Sequence, residues 1–163
     1  MMEMADGGKP GYRKIDEVRV GDIFQVVCGK AVTVRADQSL HDAVRVLLER
    51  PEPNSRKLYV VDGQGRLAGI VTLETIMRHI GYYYSVRKPG VMSFFQFLRE
   101  ILKGSAGEIM QKEPARVTKE DRVLDALKLM VEHHVNDLPV VDEGGAVVGE
   151  LNGLEVLRRA AAK

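Results

Sequence analysis

Hydrophobic and polar positions recur along the chain in a pattern of short strands and amphipathic helices. Val32 and Val34 alternate with polar neighbours, which predicts a short strand with one buried face. After Ser39, a predicted helix N-cap, apolar residues recur at the spacing of one helix face: Leu40, Ala43, Val44, Leu47 and Leu48. The same spacing returns in the second half of the chain: Val123, Ala126, Leu127, Met130 and Val131.

Each of these helices is followed by a predicted hairpin. Residues 58–61 and 66–71 are β-rich segments that flank a turn at 62–65, and residues 142–145 have the same turn chemistry. Because the apolar runs are uninterrupted, we expect strands buried on both faces. A second helix is predicted after each hairpin, over 73–80 and 154–162. Each half of the chain is therefore predicted as β-α-β-β-α.

The two halves also match in sequence. Residues 21–24 are similar to 107–110, and 40–44 are similar to 123–127. Residues 59–62 and 67–69 are similar to 139–142 and 147–149. Four matches in the same order indicate an internal duplication.

Composition narrows the function classes. The chain has 163 residues, of which 45% are hydrophobic and 29% charged, which is typical of a globular protein. A net charge of +1 gives no electrostatic case for nucleic acid or an anionic membrane. Cys28 is the only cysteine, which excludes a disulfide within the chain. No apolar run reaches the roughly 20 residues that span a bilayer. The first 11 residues lack the apolar core of a signal peptide. We expect a soluble, cytoplasmic protein.

The duplicated pattern of Val-Val-Asp, turn glycines, Gly-Ile-Val-Thr and a helix resembles the cystathionine-β-synthase (CBS) domain. The resemblance predicts an α/β (α+β) fold, with two pseudo-symmetric β-α-β-β-α CBS repeats packed as one module and an inserted amphipathic helix. Along the chain we expect an N-terminal tail, a first repeat, an aromatic-rich insert and a second repeat, over residues 1–17, 18–81, 82–105 and 106–163 respectively.

The family resemblance implies a regulatory module that binds an adenosine-containing ligand in the cleft between its repeats. Family members hold the ribose with Ser or Thr at the end of the third strand and Asp three residues later. Thr72 and Thr75 occupy these places in the first repeat, so the carboxylate is missing. Asn152 and Glu155 occupy them in the second repeat, where the carboxylate is kept on a longer arm.

The resemblance also implies phosphate contacts from residues just before the second strand. The first repeat offers Ser55, Arg56 and Lys57 there, which suits an anion. The second repeat has Val135, Asn136 and Asp137, and a carboxylate at Asp137 would repel a phosphate unless it points away.

In family members the backbone of the first strand lies beside the adenine of the ligand, and two positions of this chain match that place. These are Val32 and Ala115. Because phosphate and ribose chemistry lie in different repeats, we expect one composite site for AMP, ADP, ATP or S-adenosylmethionine. The alternative is that Arg56, Lys57 and Glu155 are simply solvated charges.

The sequence gives less support to a metal site or a catalytic site. His133 and His134 are adjacent on a predicted helix end, so their side chains point apart, and no second cluster has metal-ligand spacing. No nucleophile-base or paired-carboxylate arrangement can be assembled. We therefore predict no enzyme, no metal and no required cofactor.

The predicted insert is rich in aromatic residues. Six of the nine Tyr and Phe residues fall between 82 and 97. Ser93 and Gln96 form a capping-box signature that starts a helix, and Gly104 can end it. Its predicted apolar face consists of Phe94, Phe95, Leu98, Ile101 and Leu102.

Three interpretations of this helix remain open. It can pack on its own module, it can form a homodimer or partner contact, or it can lie on a membrane surface. The few cations on its polar face disfavour the membrane.

Two functions are consistent with these observations. The first is a homodimeric sensor of an adenosine-containing metabolite that signals to a regulated partner through the segment from Tyr82 to Leu102. The second is an interaction or scaffold protein that binds no nucleotide and acts through its aromatic insert.

Overall fold

Packing divides the chain into two compact units. The computed structural model describes residues 16–29, 32–49, 57–87, 90–154, 157 and 161. Val32–Pro114 form one of the two compact units, which we call the first-repeat unit. Met1–Ala31 and Ala115–Lys163 together form the other, the second-repeat unit.

The helix and hairpin predicted for each half are present in the predicted order, together with short helices and strands that were not predicted, and most of the helix predicted over 154–162 lies outside the described residues. Along the chain the helices and strands are α1 (Val20–Val27), β1 (Cys28–Gly29), β2 (Thr33–Arg35), α2 (Leu40–Leu48), β3 (Lys57–Val61), β4 (Leu67–Thr72), α3 (Leu73–Arg87), α4 (Phe94–Ile101), α5 (Ala106–Ile109), β5 (Gln111–Lys112), α6 (Val123–Glu132), β6 (Asp137–Val141) and β7 (Val147–Asn152). The mixture of helices and sheets confirms the predicted α/β (α+β) class.

The first-repeat unit is built on a four-stranded sheet in the order β2-β3-β4-β5. β2 pairs with β3 in parallel, and the other neighbours are antiparallel. The parallel pair is joined through α2, since parallel strands need a crossover connection. Its core combines one face of the sheet with the helices and consists of Val34, Ala43, Leu58, Val60, Val71, Ile76 and Ala106.

The second-repeat unit has a three-stranded antiparallel sheet in the order β1-β7-β6. Val117 forms an isolated parallel bridge to Val140, as Val34 in β2 pairs with Val60 in the other unit. Its core has the same plan and consists of Val20, Val117, Val123, Ala126, Met130, Leu138, Val140 and Leu151.

The helices α2 and α6 bury most of their predicted apolar faces. Ser39 caps α2, accepting a hydrogen bond from the Asp42 backbone N–H at 3.1 Å, as predicted. The last predicted position of each face is wrong: Leu48 and Val131 are exposed. Both lie in the final turn of their helices, beyond the last residue that reaches the core.

The predicted hairpin turns are present in both units. The Asp62 carboxylate accepts hydrogen bonds from the backbone N–H groups of Gln64 and Arg66 at 2.8 and 3.0 Å. The hydrogen bond from the Arg66 N–H, followed by that from the Gln64 N–H, holds the pKa of the Asp62 carboxyl below its ordinary value. Gly65 and Gly145 adopt positive φ angles of 78° and 87°, a conformation that glycine allows at little cost.

The matched segments 21–24 and 107–110 hold equivalent places in the two units. Gly21 N–H donates to the Lys119 carbonyl at 2.8 Å, and Gly107 N–H donates to the Ala36 carbonyl at 2.9 Å. A Cβ on either glycine would approach that carbonyl oxygen to 3.0 Å, so only glycine leaves room for this contact without a shift.

These opening segments pack away from the sequence that directly follows them. The segment at Gly21 belongs to the second-repeat unit, where β1 pairs with β7, whereas the segment at Gly107 belongs to the first-repeat unit. The predicted boundaries at 18–81 and 106–163 describe order along the chain and stay a prediction, because the packing units are not contiguous in sequence.

The aromatic segment forms two helices. α3 continues past the predicted end at Ile80 to Arg87, and the capping box of α4 is formed between Ser93 and Gln96. The predicted apolar face of α4 is wrong in part, since Phe97 and Ile101 are buried while Phe94 and Phe95 are exposed. Tyr84 of α3 contacts Phe97 edge to face, which turns that side of α4 inward.

Candidate functional site

Three predicted ligand residues, Lys57, Thr72 and Asn152, lie at the open ends of the β3–β4 and β6–β7 hairpins. Lys57 is paired with Thr72 across β3 and β4, and Asp137 is paired with Asn152 across β6 and β7. Directly paired side chains lie on the same face of a sheet with Cβ atoms about 5 Å apart. The two hairpins therefore place a hydroxyl beside a lysine in one unit and an amide beside a carboxylate in the other.

Thr72 and Thr75 form a reciprocal cap at the start of α3. Thr75 N–H donates to Thr72 Oγ1 at 3.1 Å, Thr72 N–H donates to Thr75 Oγ1 at 3.3 Å, and the two hydroxyl oxygens lie 2.9 Å apart. Each hydroxyl keeps additional capacity to donate or accept a hydrogen bond. The structure thus brings these two predicted site residues together in a fixed geometry.

Asn152 has the corresponding place after β7. Its side-chain Oδ1 accepts a hydrogen bond from Leu154 N–H at 2.9 Å, and the next residue, Gly153, donates its N–H to the Asn136 carbonyl at 2.8 Å. Val135 is half-buried against the core of the same unit. Asn152, Asn136 and Val135 are therefore brought to one end of the second-repeat unit.

Two carboxylates are buried in the β6–β7 hairpin. Asp137 is 7% exposed and Glu150 is 4% exposed. Sequence reasoning considered Asp137 only as a repelling charge and missed Glu150, although a lone glutamate after the apolar residues Val147 and Val148 was the available signal. Both lie on the face opposite Leu138 and Val140, because side chains alternate along a strand.

Val32 and Ala115, the two positions predicted to lie beside the adenine, differ in the hydrogen bonds that their backbone carbonyls accept. Tyr59 N–H donates to the Val32 carbonyl at 2.9 Å. Pro139 takes the place of Tyr59 in the matched sequence and has no N–H. The corresponding hydrogen bond to the carbonyl of Ala115 therefore cannot form.

Three predicted site residues, Ser55, Arg56 and Glu155, lie outside the described residues. Within the part of the chain that the structure describes, no cluster of three or more His, Cys, Asp or Glu residues is arranged to hold a metal ion. His133 and His134 follow directly after α6, at the helix end where they were predicted. In the same described part, no helix is both long and apolar enough to cross a bilayer.

Comparison with known proteins matches these duplicated units to one family. A sequence model of the CBS domain matches residues 20–82 and 106–161. The chain belongs to the CBS domain family. The resemblance inferred from the duplicated motifs is thus confirmed, and the protein is a tandem CBS domain protein.

Curated relatives are longer than this CBS chain. The meiotically up-regulated gene 70 protein of Schizosaccharomyces pombe is 32% identical over 126 residues, which are 77% of this chain and 15% of that protein. An uncharacterised protein of Methanocaldococcus jannaschii is 22% identical over 94% of this chain and 43% of its own length. The chain therefore spans less than half the length of these relatives.

Solved CBS structures share the fold. A CBS domain-containing protein from Thermotoga maritima is 30% identical, with a TM-score of 0.63 over 86% of this chain and 92% of that chain. CBSX2, solved in complex with AMP, has a TM-score of 0.64 at 23% identity over 87% and 95% of the two chains. The CBS domain pair of MJ0100, in complex with 5′-methylthioadenosine and S-adenosyl-L-methionine, has a TM-score of 0.63 at 20% identity over 84% and 98%. At these identities the last two support the fold alone.

Proposed function

We propose that this CBS protein is a regulatory module that binds an adenosine-containing ligand of the AMP, ADP or ATP class and signals its presence to a partner. The observation that carries the proposal is the pairing of Lys57 with Thr72 at the end of the β3–β4 hairpin. A lysine ammonium and a threonine hydroxyl supply an anion partner and a hydrogen-bonding group to one ligand. Solved CBS pairs that hold AMP or S-adenosyl-L-methionine support the same ligand class.

The two hairpins differ in the charge that each offers to a ligand. Lys57, preceded in sequence by Ser55 and Arg56, would attract the phosphate. Asp137 holds the place of Lys57 in the second repeat and is buried, so a phosphate beside it would be repelled. In this proposal the phosphate is held by the first repeat.

The second repeat, taken by itself, carries groups that suit the ribose and the base of such a ligand. Asn152, with Asn136 and Val135 nearby and Glu155 three residues further on, would contact the ribose. Ala115 would offer its carbonyl to the adenine amino group, because Pro139 supplies no competing N–H. Val32, whose carbonyl already accepts from Tyr59, would border the base by contact alone.

Regulation would follow from differential affinity, not from catalysis. A ligand that binds one conformation of the protein more tightly shifts the population towards it, and only by that difference in affinity. The regulated protein, the cytoplasmic setting and the absence of an enzymatic activity are parts of this proposal.

Ligand-dependent stabilisation tests the proposed function. A ligand present at 100 times its dissociation constant stabilises the folded state by about 2.7 kcal/mol, which raises the midpoint of thermal unfolding by roughly 5–10 °C for a chain of this size. We expect this rise with at least one of AMP, ADP, ATP and S-adenosylmethionine, and not with GMP at the same concentration. An unchanged midpoint with all four compounds would contradict the proposal.

One observation favours a second function. Tyr82, Tyr84, Phe94 and Phe95 are all exposed in the segment between the family matches and at its edge. An interaction or scaffold protein that acts through this surface and binds no nucleotide would show no ligand-dependent stabilisation. It would lose partner binding, and not ligand binding, when these aromatic residues are replaced.

A further inference from the structure

The turn between α3 and α4 carries an apolar surface that the proposed ligand site does not use. We call it the aromatic tip and define it by seven side chains on the two sides of the turn: Tyr82, Tyr84, Val86, Val91, Met92, Phe94 and Phe95. All seven are exposed, the four aromatic residues by 61–68% and Val91 completely. Single exposed apolar residues are ordinary on protein surfaces, but seven within 14 positions around one turn mark an interaction site.

The exposed apolar area of the aromatic tip is large for one protein surface. A Phe or Tyr side chain can bury roughly 200 Å², so four rings about two-thirds exposed present about 500 Å². The largest apolar patch on a typical monomeric protein covers about 300–600 Å² and is often functional. The aromatic tip reaches that size before its three aliphatic side chains are added.

The aromatic tip protrudes and does not form a groove. A groove shields much of each side chain that lines it, whereas most of each ring of the tip is open to solvent. Gly90 adopts a positive φ of 64°, which lets the chain reverse direction between the two helices. Because a partner helix requires an apolar groove, a protruding turn is better suited to enter a fluid lipid layer.

The two helices hold the aromatic tip in place. Phe97 and Ile101 of α4 are buried, and Tyr84 meets Phe97 edge to face with ring centroids 6.1 Å apart. Ser93 and Gln96 close the capping box with hydrogen bonds of 3.3 and 3.1 Å. The exposed rings are therefore positioned before anything binds them, which reduces the entropy lost on binding.

The α4 helix is also tied to α2 at its C-terminal end. Leu40 N–H donates to the Gly104 carbonyl at 2.7 Å, and His41 N–H donates to the Leu102 carbonyl at 3.0 Å. The aromatic tip is thus part of the first-repeat unit and not a loosely attached arm.

Positive charge is concentrated on the segment that carries the aromatic tip. Residues 75–99 contain no Asp or Glu, although the chain has 23 of them, and they contain four cationic residues: Arg78, Arg87, Lys88 and Arg99. Since the whole chain has a net charge of +1, the rest of it is net negative. The tip therefore combines apolar side chains with a local excess of cations.

The few cations on the polar face of α4 disfavour a membrane only while that helix is considered alone. On α4, Lys103 is paired with Glu100 at 2.6 Å and Arg99 is exposed. Arg87 and Lys88 lie in sequence between the two halves of the aromatic tip. Apolar and aromatic side chains flanked by Lys and Arg are typical of elements that bind an anionic lipid surface. Nucleic acid fits less well, because aliphatic side chains at the turn cannot stack on bases.

We propose that the aromatic tip binds the surface of an anionic lipid bilayer, where its apolar side chains enter the boundary between headgroups and acyl chains. Phe94 and Phe95, whose rings contact each other at 5.6 Å, supply the largest apolar area. Tyr82 and Tyr84 lie at the level of the headgroups, where a ring with one polar end is favoured. The protein is thereby bound to a membrane and does not span it. This assignment does not depend on the proposed ligand.

Co-sedimentation of the full chain with phospholipid vesicles tests the assignment. We expect binding to vesicles made of equal parts of phosphatidylserine and phosphatidylcholine, and binding about 10-fold weaker or less to phosphatidylcholine alone. Raising the salt concentration from about 0.1 M to about 1 M shortens the Debye length from about 10 Å to about 3 Å. The preference for phosphatidylserine should therefore decrease at high salt.

The F94S/F95S variant tests the apolar part of the contact. It removes two rings from the aromatic tip and is expected to bind the mixed vesicles about 100-fold more weakly. It should unfold near the wild-type midpoint, because both side chains are largely exposed. The matched control is V131S/V148S, which removes two exposed apolar side chains from the second-repeat unit and should bind as the wild type does.

A second pair of variants tests the charge. Arg99→Glu should weaken binding to the mixed vesicles by about 10-fold or more, because it replaces a cation beside the aromatic tip with an anion. Lys128→Glu makes the same change of charge on an exposed residue of α6 and should have a much smaller effect. Equal losses for the two variants would overturn the assignment, since net charge and not the tip would then govern binding.

Three further results would overturn the assignment. These are an absence of binding to the mixed vesicles, binding that F94S/F95S leaves unchanged, and equal losses for F94S/F95S and V131S/V148S. If the protein binds neither kind of vesicle but binds a synthetic helix rich in leucine and glutamate only when Phe94 and Phe95 are present, the aromatic tip binds a protein segment and not a lipid surface.

Discussion

Replacing Val20 with asparagine is expected to expose the β6–β7 hairpin to hydrogen exchange while leaving β3–β4 protected, although Val20 lies within the first predicted repeat, over residues 18–81. Val20 is fully buried in the core of the second-repeat unit, and its N–H donates to the Asp121 carbonyl at 2.8 Å. An asparagine side chain would forgo the burial of the valine side chain and place polar atoms in an apolar core. This would lower the free energy of unfolding by about 3 kcal/mol or more.

Ala106 provides the matched test in the other unit. It is also fully buried, its N–H donates to the Gln38 carbonyl at 2.8 Å, and it precedes the equivalent glycine, Gly107. Ala106→Asn is therefore expected to expose β3–β4 and to spare β6–β7. Exchange measured peptide by peptide decides the matter, and a loss of protection in the opposite hairpin for either variant would contradict the assignment of the opening segments.

The second large effect is expected on ligand affinity. Lys57→Glu removes the cation at the end of β3 and introduces a repelling charge, so AMP, ADP and ATP should each bind about 10- to 100-fold more weakly. Adenosine, which has no phosphate, should lose much less. The comparison of nucleotide with nucleoside separates a lost phosphate contact from a general distortion of the site.

Replacing Asp137 should not weaken the binding of phosphate-bearing ligands as replacing Lys57 does. Asp137→Asn removes the carboxylate that holds the equivalent place in the second repeat, so phosphate-bearing ligands should bind as tightly as before or more tightly. Lys128→Glu makes the same charge change as Lys57→Glu on an exposed face of α6 and serves as the control. Equal losses for Lys57→Glu and Lys128→Glu would show that net charge, and not a contact at Lys57, governs binding.

Local features of this fold could be predicted because nearby residues determine them. The turn at Asp62, the cap at Ser39 and the capping box at Ser93 each depend on residues within four positions, and all are present in the structure. The faces of α2 and α6 followed from helical periodicity, except in the final turn of each helix.

Features that depend on distant contacts could not be predicted in the same way. Helical periodicity is compatible with an inward face that includes Phe95 or with one that includes Phe97, and the unpredicted extension of α3, which carries Tyr84, brings Phe97 inward. The segment at Gly21 packs in the second-repeat unit because of contacts such as that of β1 with β7, which lie more than 100 residues apart in sequence. The burial of Glu150 likewise depends on the environment of a whole sheet face.

Calorimetric titration of ligand-stripped protein with AMP, ADP, ATP and S-adenosylmethionine tests the central claim most directly, since it measures affinity and stoichiometry together. The proposed sensor predicts saturable binding of at least one of these compounds in the micromolar range. Absence of saturable heat with all four would contradict ligand sensing and favour the second function, which rests on the exposed residues Tyr82, Tyr84, Phe94 and Phe95.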